Sequence, residues 1–281
     1  MRAIFAVFCL LLGLFANGTY SLVLDYDEND NRVFERVHQG YPFLNYYVFI
    51  ESKVNNTVLF CEGVRLTERH LVTTTPCAQN YLKSSKTVAI TNHRDRRAQK
   101  DSNYKSADEV VTKVVGAKIN GNLAILRVDQ PMILERWTHK VFVSKQFRSS
   151  DVKEFGHSGF FALGHGFSEN FFEPNLIKMA DLKRVSSKTC RREWKHSHLH
   201  FTDDLVCARV PGQTLTDGFH GGAMSYFGYA PDTELIANYV YALRIAQDTS
   251  YKGQKTSEVF VKLAPYCEFL KEETEGLFTC V

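Results

Sequence analysis

The amino-acid sequence predicts an all-β fold of the sandwich or barrel class, closed by one C-terminal helix. Three observations carry that expectation. Short runs rich in β-branched and aromatic residues succeed one another from Tyr46 to Leu243. Clusters of Gly, Asn, Asp, Ser and Lys separate them. Between them there is almost no sustained 3.6-residue periodicity.

The expected strands in the first half are 46–51, 57–67, 71–75, 87–91, 109–115 and 123–128. Those in the second half are 160–163, 182–186, 205–210, 223–229 and 235–243. The expected helix comes last, where Val259, Leu263, Tyr266, Cys267 and Leu270 fall on one helical face. No internal repeat or low-complexity linker interrupts the series.

With 281 residues, 44% hydrophobic and 23% charged, the chain is no disordered polymer, coiled coil or collagen-like fibre. The length suits one large all-β unit or two ordinary domains. The 34 basic and 31 acidic side chains leave a net charge of +3, too little to steer the molecule onto nucleic acid.

The start of the chain reads as a secretory signal. Arg2 precedes the apolar run Ala3–Phe15, followed by small residues at Thr19 and Ser21. That run is shorter than the ~20 residues a membrane span requires, and no later segment approaches it. The expectation is therefore a signal peptide over 1–21, a short polar extension over 22–36 and one domain over 37–281, with no membrane span. The sequence holds seven cysteines, and Cys9 leaves with the signal. The six that remain suit three disulfides in an oxidising compartment; the alternative is six buried thiols in a cytosolic protein.

Several segments, in order, carry a family resemblance. Leu59-Phe-Cys61-Glu-Gly-Val-Arg-Leu and Leu71-Val-Thr-Thr-Thr-Pro76-Cys77 resemble the F-C-G-G-[ST]-L-I and W-V-L-T-A-A-H-C blocks of chymotrypsin-like serine proteases. Asn120-Gly-Asn122-Leu-Ala-Ile-Leu-Arg-Val-Asp-Gln-Pro131 is similar to N-D-I-A-L-L-[KR]-L-x-x-P. Asp204-Leu-Val-Cys207-Ala resembles N-M-[VL]-C-A, and Gly218-Phe-His220-Gly-Gly-Ala223 resembles G-D-S-G-G-P. Ser257-Glu-Val-Phe260 looks like P-G-V-Y before the terminal helix. The resemblance implies two six-stranded antiparallel barrels, trypsin-like, with a cleft between them.

It also implies that the chemistry has been lost. Such enzymes need a hydroxyl nucleophile, an imidazole base and a carboxylate that orients the imidazole. Pro76 stands at the histidine position, Asn122 at the aspartate position and His220 at the serine position. A pyrrolidine ring has no base, and an amide cannot stabilise an imidazolium by charge. Arg36-Val37-His38-Gln39-Gly40 loosely resembles the R-I-V-G-G activation site. However, Phe219 replaces the carboxylate that the freed N-terminus must meet. The pocket position of trypsin-like members falls near Thr214, and Thr216 replaces that pocket's cysteine.

For the cysteines, the resemblance implies Cys61–Cys77 and Cys190–Cys207. Cys267 and Cys280 are left over, a pair the common family pattern lacks. They close the C-terminal segment, or Cys280 makes an intermolecular link.

The remaining features read more plainly. His196, His198 and His200 would put imidazoles on one side of a strand, but the polar loop offers no partner carboxylates, so no metal site is expected. The basic cluster His93–Lys100 reads as exposed loop. Asn55-Asn56-Thr57 is a glycosylation sequon. The expectation is a secreted, non-catalytic protease homologue without cofactors, binding extracellular proteins such as proteases, inhibitors or cascade components. Homologues of this kind are common in insects, as immune-cascade cofactors or as seminal and other body-fluid proteins. The alternative is a hydrolase with rewired chemistry using His220 as nucleophile.

Overall fold

The computed structural model describes residues 25–26, 32–34, 46–91, 110–132, 141–147, 159–164, 178–195, 197, 199–209, 220–231, 236–246 and 257–281. The first strands are β1 (Asp25–Tyr26) and β2 (Arg32–Phe34). Then come β3 (Tyr47–Val54), β4 (Thr57–Arg65), β5 (His70–Thr74), helix α1 (Thr75–Lys83), β6 (Lys86–Thr91), β7 (Val110–Asn120) and β8 (Leu123–Val128).

The six strands from β3 to β8 close into a barrel in the order β3-β4-β5-β8-β7-β6. Tight turns fix its register. Asn55 and Asn56 join β3 to β4 with φ of 46° and 64°, a two-residue turn in the left-handed region that asparagine tolerates. That turn sets Val54 opposite Thr57. β7 meets β8 across Gly121, at φ 55°. All five residues of β5 are buried, so this strand is covered on both faces.

The second half supplies β9 (Phe160–Gly164), β10 (Lys178–Val185), helix α2 (Ser187–Glu193), β11 (Leu205–Arg209), β12 (Ala223–Tyr229), β13 (Ile236–Ala246) and β14 (Glu258–Lys262). Their order is β10-β11-β14-β13-β12-β9, and pairing of β10 with β9 closes a second six-stranded antiparallel barrel. A 3-10 turn over Ala264–Tyr266 leads into α3 (Cys267–Glu273). Every strand expected from the sequence is present, with ends shifted by a few residues.

Three differences from the expectation have physical reasons. The terminal helix begins at Cys267, and Val259 belongs to β14 instead. Four of the five β14 residues are buried, so the strand reads as an apolar run that a helical period fits equally well. Two short helices, α1 and α2, were not expected; each is under ten residues, too short for a periodic signal. Within the polar extension, β1 pairs with β2, and β2 adds to β10 with Phe34 opposite Met179.

The core has three parts. One cluster lies within the first barrel, around Val48, Ile50, Leu71, Ala124 and Leu126. A second lies within the other barrel, around Phe160, Tyr226, Tyr239 and Phe260. The third joins them: Phe49, Val72 and Leu123 pack with Phe161, Leu163, Val240 and Leu243, and with Leu270 and Phe278 of the C-terminal segment. Burying each such side chain contributes roughly 1.5–3 kcal/mol before entropy is counted. This shared cluster holds the barrels in contact and fixes the loops that meet along their junction. Disulfides link Cys61 to Cys77, Cys190 to Cys207 and Cys267 to Cys280. Among the described residues, no helix is long and apolar enough to cross a membrane.

Candidate functional site

α1 follows β5 directly and carries a proline in its first turn, where the missing backbone N–H has no helical partner to lose. Pro76 is exposed. Its neighbour Thr75 ties this turn to the β7–β8 turn: the Thr75 N–H donates to the Asn122 carbonyl at 3.0 Å, and its hydroxyl to the Gly121 carbonyl at 2.8 Å. On the other side, Cys77 Sγ, a disulfide sulfur with no proton, lies 3.4 Å from the His220 carbonyl oxygen. The segments bearing Pro76, Asn122 and His220 therefore converge at one place, where the barrels meet.

Asn122 is half-buried and faces the second barrel. Its side-chain Nδ2 donates to Asp204 Oδ2 at 3.4 Å. Tyr266, from the 3-10 turn, donates its hydroxyl to the same Asp204 oxygen at 2.6 Å and accepts the Asn122 N–H at 3.5 Å. Thr202 donates to the other Asp204 oxygen. Burial works against the Asp204 charge, but hydrogen bonds from Thr202, Tyr266 and Asn122 outweigh it and hold the carboxyl below its ordinary range. Burial, together with the Asp204 acceptor, pushes the Tyr266 phenol up to about 12. A Cβ on Gly121 would sit 2.9 Å from the Tyr266 hydroxyl, so this tyrosine can approach because position 121 has no side chain.

His220 opens the turn that enters β12. Its carbonyl accepts the Glu62 N–H at 2.7 Å, linking the turn to β4 of the other barrel. Gly221 has φ of 87°, and a Cβ there would lie 1.8 Å from the Glu62 carbonyl oxygen. No other residue type fits without displacing β4. The Gly221 N–H donates to the Arg244 carbonyl at 2.8 Å, and the Arg244 N–H donates to the Gly222 carbonyl at 2.9 Å. The turn is thus held to β13 from both directions.

Other sequence-predicted positions fall elsewhere. Phe219, Thr214, Thr216, Arg36, His196, His198 and the cluster His93–Lys100 lie outside the described residues. His200 is exposed, and Asn55 is exposed at the tip of the β3–β4 hairpin. A cavity of about 1000 Å³ lies away from the converging segments, lined by residues that include His70, Arg127 and Phe278. Sequence reasoning passed over the partners that organise the junction. Glu62, completely buried, accepts the Tyr47 hydroxyl at 2.5 Å, and Arg244 pairs with Glu258 at 2.8 Å inside the second barrel. Departures within the quoted segments were their one available signal, since Glu62 breaks the F-C-G-G block and Glu258 replaces the glycine of P-G-V-Y.

The trypsin family model matches residues 37–225. The chain belongs to the trypsin family. No curated protein matches it in sequence. Among solved structures, it is similar to the scabies mite inactivated protease paralogue S-I1, with a TM-score of 0.62 and 15% identity. That similarity covers 83% of this chain and 96% of the mite protein. At this identity the likeness speaks for the fold. In this trypsin-family chain, the converging segments present a pyrrolidine ring, an amide that donates to a carboxylate across the barrel junction, and an imidazole. The carboxylate nearest Asn122 in this network, Asp204, is engaged by three donors.

Proposed function

We propose that this trypsin-family protein is a secreted, non-catalytic homologue that acts by binding extracellular proteins. One observation supports the reading: the segments of Pro76, Asn122 and His220, which the sequence resemblance assigns to the family's imidazole, carboxylate and hydroxyl, converge at the barrel junction. Losing one such group costs several orders of magnitude in rate, and here all three roles are unfilled. Hydrolysis through His220 would require a base beside it, and Pro76 supplies none. The likeness to a protein described as an inactivated protease paralogue agrees with this reading.

Secretion rests on the apolar run Ala3–Phe15 and on disulfides that suit an oxidising compartment. In this reading the mature chain starts after Ser21, Asn55 carries a glycan, and the exposed loops around the junction form the recognition surface. The partners are proteases, their inhibitors or cascade components, in an insect body fluid such as seminal fluid or in an immune cascade. The test is the triple variant P76H/N122D/H220S. It restores the three side chains but leaves Phe219, so turnover of peptide substrates should stay near background. Robust turnover by the variant contradicts the block at Phe219, and turnover by the wild type that disappears in His220→Ala contradicts the non-catalytic reading.

A further inference from the structure

Among the described residues, Arg244 is the bulkiest of the fully buried side chains, at 1% exposure. Its Nε donates to Oε2 of Glu258 at 2.8 Å, and the two side chains keep only 1% and 5% of their surface in contact with solvent. The pair spans neighbouring strands β13 and β14, beside the register shift between Arg244 and Ala246. The Arg244 main chain is bonded in both directions to Gly221 and Gly222, so the strand that bears the ion pair is tied to the His220 turn.

Packing alone does not account for charges in this position. Withdrawing each ion from water costs several kcal/mol, and apolar residues of equal volume commonly pack as stably. A buried carboxylate does, however, suit the planar fork of a guanidinium, which it accepts with direction as well as charge.

We propose that Glu258 is the floor of a guanidinium-binding pocket, filled in cis by Arg244. The chain carries its own ligand there and refuses arginine-like side chains from outside. This goes beyond the non-catalytic reading, because it concerns what the interior accepts rather than whether a bond is broken.

The test uses the full-length protein and its Arg244→Ala variant, with methylguanidinium chloride as probe and sodium chloride and methylammonium chloride as controls. Truncation should lower the melting temperature and open a cavity above Glu258. Methylguanidinium should then restore the melting temperature of Arg244→Ala toward that of the wild type, whereas neither control salt does. Wild type and the double variant R244A/E258Q should show no such response. The proposal is overturned if folded Arg244→Ala ignores methylguanidinium, or if wild type or the double variant responds equally. Should Arg244→Ala not fold unaided, refolding in methylguanidinium takes the place of the melting shift: recovery of folded protein supports the pocket, and no recovery overturns it. None of these readouts involves turnover, so hydrolysis by the wild type would defeat the non-catalytic reading and leave this one standing.

Discussion

The side-chain amide of Asn122 donates to Asp204 at 3.4 Å, tying the β7–β8 turn of the first barrel to the segment before β11 of the second. Tyr266 completes the triangle from the C-terminal turn. An amide suits this place, because it donates to a carboxylate that is already present. A second carboxylate at position 122 would face the first.

Asn122→Asp should therefore destabilise the protein by about 1 kcal/mol at neutral pH, through the lost donor and like-charge repulsion. The difference from wild type should shrink in acid, as one of the two carboxyls takes up a proton. Chemical denaturation at several pH values checks this, and a pH-independent difference would rule out the electrostatic cause.

Tyr266→Phe should cost about 1 kcal/mol, a modest value for a hydrogen bond to a charged group because the pair is partly solvated. The sign with pH is definite. The Tyr266 phenol rises from 10.0 to about 12 in the fold, so its contribution is whole below pH 10 and is lost as pH climbs toward 12. Asp204 is held low, so its contribution is whole above the ordinary carboxylate range and is lost as pH falls through it. Denaturation curves against pH should show both limbs in wild type, with the alkaline limb flattened in Tyr266→Phe.

Gly221→Ala should be far more damaging. The new methyl would meet the Glu62 carbonyl at 1.8 Å, on a backbone at φ 87° that alanine adopts at a cost. A loss of at least about 3 kcal/mol is expected, since the strain alone costs about 1–3 and the clash adds to it. Thermal melting is the check. Gly276→Ala is the control, because at φ 77° it carries the backbone strain with nothing within 4 Å of the added atom.

Removing the terminal bridge with C267A/C280A should cost about 3 kcal/mol, the entropy of a loop with 13 residues of sequence separation. α3 and the tail should loosen first, since Leu270 and Phe278 enter the shared core through this segment. Hydrogen exchange confined to residues 267–281 would show it; uniform loss of protection across both barrels would not fit.

The strands were legible because they are short runs rich in β-branched and aromatic residues bounded by polar clusters. β14 was not, since Val259 falls at helical spacing with Leu263, Tyr266, Cys267 and Leu270, and no polar cluster separates the strand from the helix that follows. α1 was not, since its nine residues are too few for a helical period to stand out. At the junction, Pro76, Asn122 and His220 stood out as departures from ordered segments. Asp204 and Tyr266 did not, because their bonds join residues 82 and 62 positions apart, which no local pattern records. Arg244 reads as a solvent-facing strand position until Glu258 is found beside it.

The most direct measurement is turnover by the purified wild-type protein on peptide and ester substrates, with labelling by a serine-directed phosphonate in parallel. No turnover above background and no labelling are predicted. Reproducible turnover that disappears in His220→Ala would contradict the account.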